Sequence, residues 1–117
     1  MKYACLIYHT ESIQAQMSEA EINDNMNAHW AFSNEMEERG VMAGGHALHP
    51  TSTATTVRVN AEGKVVTTDG PFAETKEQLG GLYILDCADL DEAIECAAKI
   101  PEATGGCVEI RPLVIFD

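Results

Sequence analysis

The chain has 117 residues, 45% of them hydrophobic, with 19 acidic against 7 basic side chains and a formal charge of −12. That length suits one domain that buries roughly two-thirds of its unfolded surface without disulfides or metal, and the apolar share excludes disorder. The negative field disfavours nucleic acid and anionic membrane surfaces as partners, and no apolar run approaches the roughly 20 residues of a membrane span.

The opening "MKYACLIYHTE" reads as a strand over Lys2–Tyr8, apolar on both faces, and not as a signal peptide, since no small-residue cleavage site follows. Ser18 opens a helix, with Glu21 completing a capping box, and the helix runs to about Arg39 before the stop at Gly40. Val41–Leu48 is a second strand, weakened by Gly44 and Gly45. Ala54–Val59 and Lys64–Thr68 flank "NAEG" as a hairpin. A polar loop, "DGPFAETKE" at 69–77, precedes a strong strand at Leu79–Cys87. Asp89 and Glu92 cap a second helix through Ile100, Pro101 ends it, and Gly106–Phe116 is the last strand.

With the hairpin set aside, the order is βαββαβ, a ferredoxin-like α+β fold with an antiparallel sheet. Two helices cover one sheet face. The other face carries Leu82 and Ile84 beside an equally apolar first strand, and such a surface is a liability in a monomer. The expectation is a single domain over 1–117 that forms a symmetric homodimer by stacking sheet faces.

On a wheel of about 100° per residue, Ile22, Met26, His29, Ser33 and Met36 fall in one stripe of the first helix, which predicts a buried face with an imidazole at its centre. His29 is then either a neutral core histidine bonded to a carbonyl or a general acid/base at a pocket floor. Asp69 either caps the N–H groups of its own Asp-Gly-Pro turn or stands at a strand end as a carboxylate partner for His29. Glu74 and Lys76, with Glu77, are either a solvated face or ligand contacts on a Pro-stiffened loop that also carries Phe72. Arg58 and Arg111 are available to pair with an acidic side chain or a substrate carboxylate, the bland reading for Glu109 and Arg111 being a cross-strand ion pair.

His46 and His49, three apart on a strand, point to opposite faces and do not chelate one ion, and His9 sits at a strand end. The four cysteines, Cys5, Cys87, Cys96 and Cys107, form no C-x-x-C pair and read as reduced, mostly buried thiols of a cytoplasmic protein. No metal and no cofactor is expected.

"MKYACLIY", "GGHALHPTSTATTVRV", "TTDGPFAETKEQLGGLYILD", "DLDEAIECAAKIP" and "GCVEIRPL" together resemble the DGPFAETKE group of YCII-related proteins over nearly the whole chain. The resemblance implies a ferredoxin-like fold that dimerises as an α/β barrel. It also implies an active-site pair whose matching positions here are His29 and Asp69. His46 stands where the group carries Glu in "GGEAL". Members are often encoded beside extracytoplasmic-function sigma factors, which implies a regulatory association. Two functions are therefore expected. One is a dimer acting on a small metabolite through His29 and Asp69. The other is a non-catalytic ligand-binding or regulatory module. Arg58, Phe72, Glu74, Lys76, Arg111 and His46 are the expected ligand contacts in either case.

Overall fold

The computed structural model describes residues 1–116. Strand β1 spans Lys2–His9, followed by a four-residue helix α1 at Glu11–Gln14 and the long helix α2 at Glu19–Glu38. Strand β2 covers Met42–Ala47, β3 Thr55–Val59, β4 Val65–Asp69 and β5 Gln78–Asp86. Helix α3 runs over Leu90–Ala97 and β6 over Cys107–Pro112, with short 3₁₀ turns at Thr51–Thr53 and Pro101–Ala103.

Local chemistry accounts for the boundaries. The Ser18 hydroxyl accepts from Glu21 N at 3.1 Å while the Glu21 carboxylate accepts from Ser18 N at 3.1 Å, so the expected capping box is formed. Gly40, at φ +74°, turns the chain out of α2. Asp89 caps α3 through Glu92 N at 2.9 Å. At the hairpin tip, Asn60 Oδ1 accepts from both Glu62 N and Lys64 N, and Gly63 takes φ +79°.

Strands β2–β5–β1–β6 form one antiparallel sheet in that order. The order and the two helices on one face agree with a ferredoxin-like α+β fold. Tyr3, Cys5 and Ile7 of β1 and Leu85 of β5 pack against Phe32 and Met36 of α2 and against Ala93, Cys96 and Ala97 of α3 in a single core. Ala4, Leu6, Tyr8, Leu82 and Ile84 lie on the opposite, half-buried face. Hairpin β3–β4 makes a separate two-stranded sheet.

Three expectations change. Residues 113–116 leave the sheet after Pro112, so β6 ends four residues before Phe116, and Val114, Ile115 and Phe116 are exposed. The last bond to β1 is from Leu113 N to the Lys2 carbonyl at 2.9 Å. A 3₁₀ turn rather than a plain stop begins at Pro101. Finally, the stripe on α2 is not buried along its length. Met36 is its one buried residue, whereas Ile22 is 47% and Met26 54% exposed because no described element covers them.

The chain is spread out. Its radius of gyration is 16.4 Å, against about 13 Å for a compact domain of this length. Its accessible surface is 8243 Å², some 2,000 Å² above the roughly 6,200 Å² of a monomer of this mass. The hairpin accounts for part of the excess, with Val57, Val59 and Val65 each about 60% exposed.

Candidate functional site

The central group is His29, on the face of α2 turned to the sheet. Its Nδ1 lies 2.7 Å from the Tyr83 hydroxyl, and its Nε2 lies 2.6 Å from Glu102 Oε1. Asn25, one turn earlier on α2, donates from Nδ2 to Glu102 Oε2 at 2.8 Å. Tyr83 comes from β5, and Glu102 from the 3₁₀ turn after α3. Three separate parts of the chain thus converge on one imidazole.

The ring positions have identifiable causes. Tyr83 stacks on His29 at 5.9 Å between centroids and tilts against Phe32 at 4.8 Å. Its ring lies over Gly45, where an added Cβ would come within 2.7 Å of Cδ1. An ionised carboxylate only accepts, so Glu102 places a proton on Nε2 and leaves Nδ1 of the neutral ring to accept from the Tyr83 hydroxyl. The Nε2 to Oε1 approach is close but off the line of the ring N–H, so it is a polar contact more than an aligned hydrogen bond.

Burial pushes the Glu102 carboxyl up, but the opposing bonds from His29 and Asn25 outweigh it and hold the group below the usual carboxylate range. Burial raises the Tyr83 phenol, against the effect of a Ser33 hydroxyl bond, and the Glu102 charge adds to the rise. Glu102 is therefore ionised and Tyr83 neutral through the ordinary pH range.

Two concavities adjoin this part of the fold. One, of about 190 Å³, is lined by His9, Thr10, Ile13, Gln14, Met17, Asn25, Glu102, Thr104, Gly105 and Gly106. The other, of about 400 Å³, lies against the 69–77 loop and is lined by Glu11, Thr51, Ser52, Gly70, Pro71, Ala73, Glu74, Thr75 and Gln78. A chain of bonds holds that loop. Gln78 donates to the Thr75 carbonyl and accepts from Glu11 N at 2.9 Å, and Glu11 accepts from Thr51 N at 2.8 Å and from the Thr51 hydroxyl at 2.7 Å. Gly70, at φ +99°, donates to the Ala54 carbonyl at 2.7 Å.

The residues singled out from sequence fall into three places. Asp69 ends β4 opposite Thr55, exposed, with no hydrogen bond or ion pair among the described residues. It neither caps its turn nor comes within 4 Å of His29, whose carboxylate partner within the chain is Glu102. Glu74 lines the loop cavity, Phe72 is 80% exposed, and Lys76 is exposed on the same loop. His46 pairs with Leu82 and Arg111 with Ala4, which places both on the sheet face away from His29. Arg58 faces solvent on β3, and neither arginine has an acidic partner within 4 Å among the described residues, so no cross-strand ion pair forms at either among those residues.

Sequence reasoning missed Glu102, Tyr83, Asn25 and Gln78. Asn25 alone had a signal, standing four residues before His29 on the same helix. Glu102 follows a helix-ending proline, where an acidic residue reads as an ordinary solvated turn. No group of three or more His, Cys, Asp or Glu side chains is placed to hold a metal among the described residues. No described helix is long and apolar enough to cross a membrane.

Fold and site together define a small α+β domain with a half-buried Tyr–His–Glu chain between its second helix and its sheet. The chain belongs to the YCII-related domain family, whose model matches residues 1–117. An uncharacterized protein of Rhizobium meliloti (strain 1021) is 41% identical over 118 aligned residues, covering 99% of this chain and 94% of that protein.

Proposed function

We propose that this protein is a homodimer that binds a small metabolite and exchanges a proton with it through the site centred on His29, without a cofactor. The observation that carries the reading is His29 held between a neutral phenol and a half-buried, ionised carboxylate. That is a short path along which a proton can pass, with a ring whose tautomer and orientation are set. Isomerisation, cyclisation or lactone chemistry needs such a pair and no more.

Dimerisation is supported by the surface. An accessible area of 8243 Å² exceeds that of a compact monomer by about what one partner gives up in a large interface. The hairpin valines and the exposed Val114–Phe116 tail are among the surfaces in excess. Stacking two sheet faces would close an α/β barrel with the hairpins at its margins. Size-exclusion chromatography with light scattering should give twice the chain mass at micromolar concentration, and a monodisperse monomer rejects the assembly.

The catalytic role is tested by a metabolite panel read by thermal shift and by product formation, in wild type and His29→Gln. Loss of turnover in the variant is expected, and unchanged turnover rejects His29. A second reading, ligand binding without catalysis, is favoured by one fact: both ring nitrogens of His29 are already engaged inside the protein. A panel that stabilises the protein yet yields no product in any case selects that reading.

A further inference from the structure

We infer that the 190 Å³ cavity beside Glu102 is the ligand seat of the His29 site and that it takes a small protonated amine with a short aliphatic part. The inference rests on reading His29 as a ligand site and names the ligand's chemistry.

The cavity reaches the outer end of the Tyr83–His29–Glu102 chain, because Glu102 and Asn25 are both in its wall. Glu102 Oε1 is sealed against His29, leaving Oε2 as the oxygen within a ligand's reach. Asn25 spends its Nδ2 on Oε2, and its Oδ1 takes no donor among the described residues. The Oε2 carboxylate oxygen keeps lone pairs beyond the one that Asn25 Nδ2 engages, and the Asn25 amide oxygen in the same wall is a further acceptor, so an ammonium group brings the donors and the complementary charge.

The rest of the wall agrees. No lysine or arginine lines the cavity, and the chain as a whole carries −12. Thr10, Gln14 and Thr104 supply further polar atoms, while Ile13 and Met17 offer apolar surface for a short chain. His9 enters the wall at the end of β1, and its ring occupies the space that a Cβ on Gly80 would need, 2.3 Å from Cε1. A carboxylate or phosphate ligand would instead meet the ionised Glu102 in a part-buried site, where like charges are poorly screened.

The probes are n-butylammonium, n-butanol and butyrate, titrated into the full chain. The readout is the Asn25 side-chain amide, the His9 ring and the Gly105 amide by NMR. The amine should shift these signals saturably, with the alcohol and the acid at least about tenfold weaker. Glu102→Gln should weaken the amine about tenfold or more. Thr104→Lys, which adds a cation to the wall and leaves the Glu102 bonds in place, should abolish the amine response even if the first variant misfolds. Equal binding of butyrate, no saturable shift up to about 100 mM amine, or an unaltered response in Thr104→Lys overturns the proposal. A panel ligand lost in His29→Gln with no amine response overturns the ligand class alone. Indifference of every ligand to His29→Gln overturns the site.

Discussion

Gly45 on β2 is the bare patch of backbone on which the Tyr83 ring rests, and that ring hands its hydroxyl to His29 Nδ1 at 2.7 Å. A methyl group on Gly45 would sit 2.7 Å from Tyr83 Cδ1, closer than real Cβ contacts allow. Gly45→Ala should therefore push the ring off β2, destabilise the protein by about 1–3 kcal/mol, and lengthen or break the bond to His29. The neighbouring Gly44→Ala is the control, since its Cβ would lie 3.8 Å from Ile84 Cγ1 in ordinary contact. Denaturant melts of the two variants, with near-UV circular dichroism of the tyrosines, check the contrast.

Glu102 predicts a stability change in acid. Its carboxyl is held below the usual range in the folded protein, so its contribution is complete above the unfolded value near 4.5 and disappears as pH falls through the lower folded value. Glu102→Gln should cost about 1–3 kcal/mol at neutral pH and should flatten the acid limb of a stability–pH curve below pH 4.5. An acid limb identical to wild type would mean that the His29 and Asn25 contacts contribute nothing.

The thiols should divide by burial. Cys5, Cys87 and Cys96 are buried and Cys107 is exposed. Burial first, and the neighbouring Cys96 second, push Cys5 up to about 11 and Cys87 up to about 12. An aromatic disulfide reagent at pH 8 should titrate one thiol quickly in the native protein and four after unfolding. Because the folded values are raised, the stability they contribute is present below the unfolded thiol value of 9.0 and fades as pH rises above it.

The 69–77 loop should loosen when its tie is cut. Gln78→Ala removes the bonds to Glu11 N and the Thr75 carbonyl. Amide exchange across 70–77 should quicken by about one to two powers of ten, in line with the roughly 1–2 kcal/mol such bonds contribute. Exchange in β1 should stay unchanged. Quickening across the whole sheet instead would show that Gln78 supports the fold and not the loop.

The element order was legible because its signals are local. Ser18 with Glu21, Asp89 with Glu92, and the Asn60–Gly63 turn each act within a few residues, and each is made as the spacing predicts. His29 was legible as a face-centred histidine on a helix. Its partners were not, because Tyr83 and Glu102 lie 54 and 73 positions away and nothing in their own neighbourhoods marks them. Ile22 and Met26 misled for a related reason. A wheel reports which face is apolar, and here no described element arrives to cover Ile22 and Met26. Asp69 sits in the most distinctive stretch of the sequence, yet its carboxylate engages no side chain of its own chain among the described residues.

Helix α1 is only four residues long, but it is a party wall. Glu11 lines the loop cavity, and Ile13 and Gln14 line the one beside Glu102. One turn of helix cannot move for one chamber and stay still for the other. A guest that displaces α1 on entering either cavity reshapes its neighbour, and thermodynamic reciprocity makes the effect equal in both directions. Such a displacement would couple the 69–77 loop to the cavity beside Glu102 through α1.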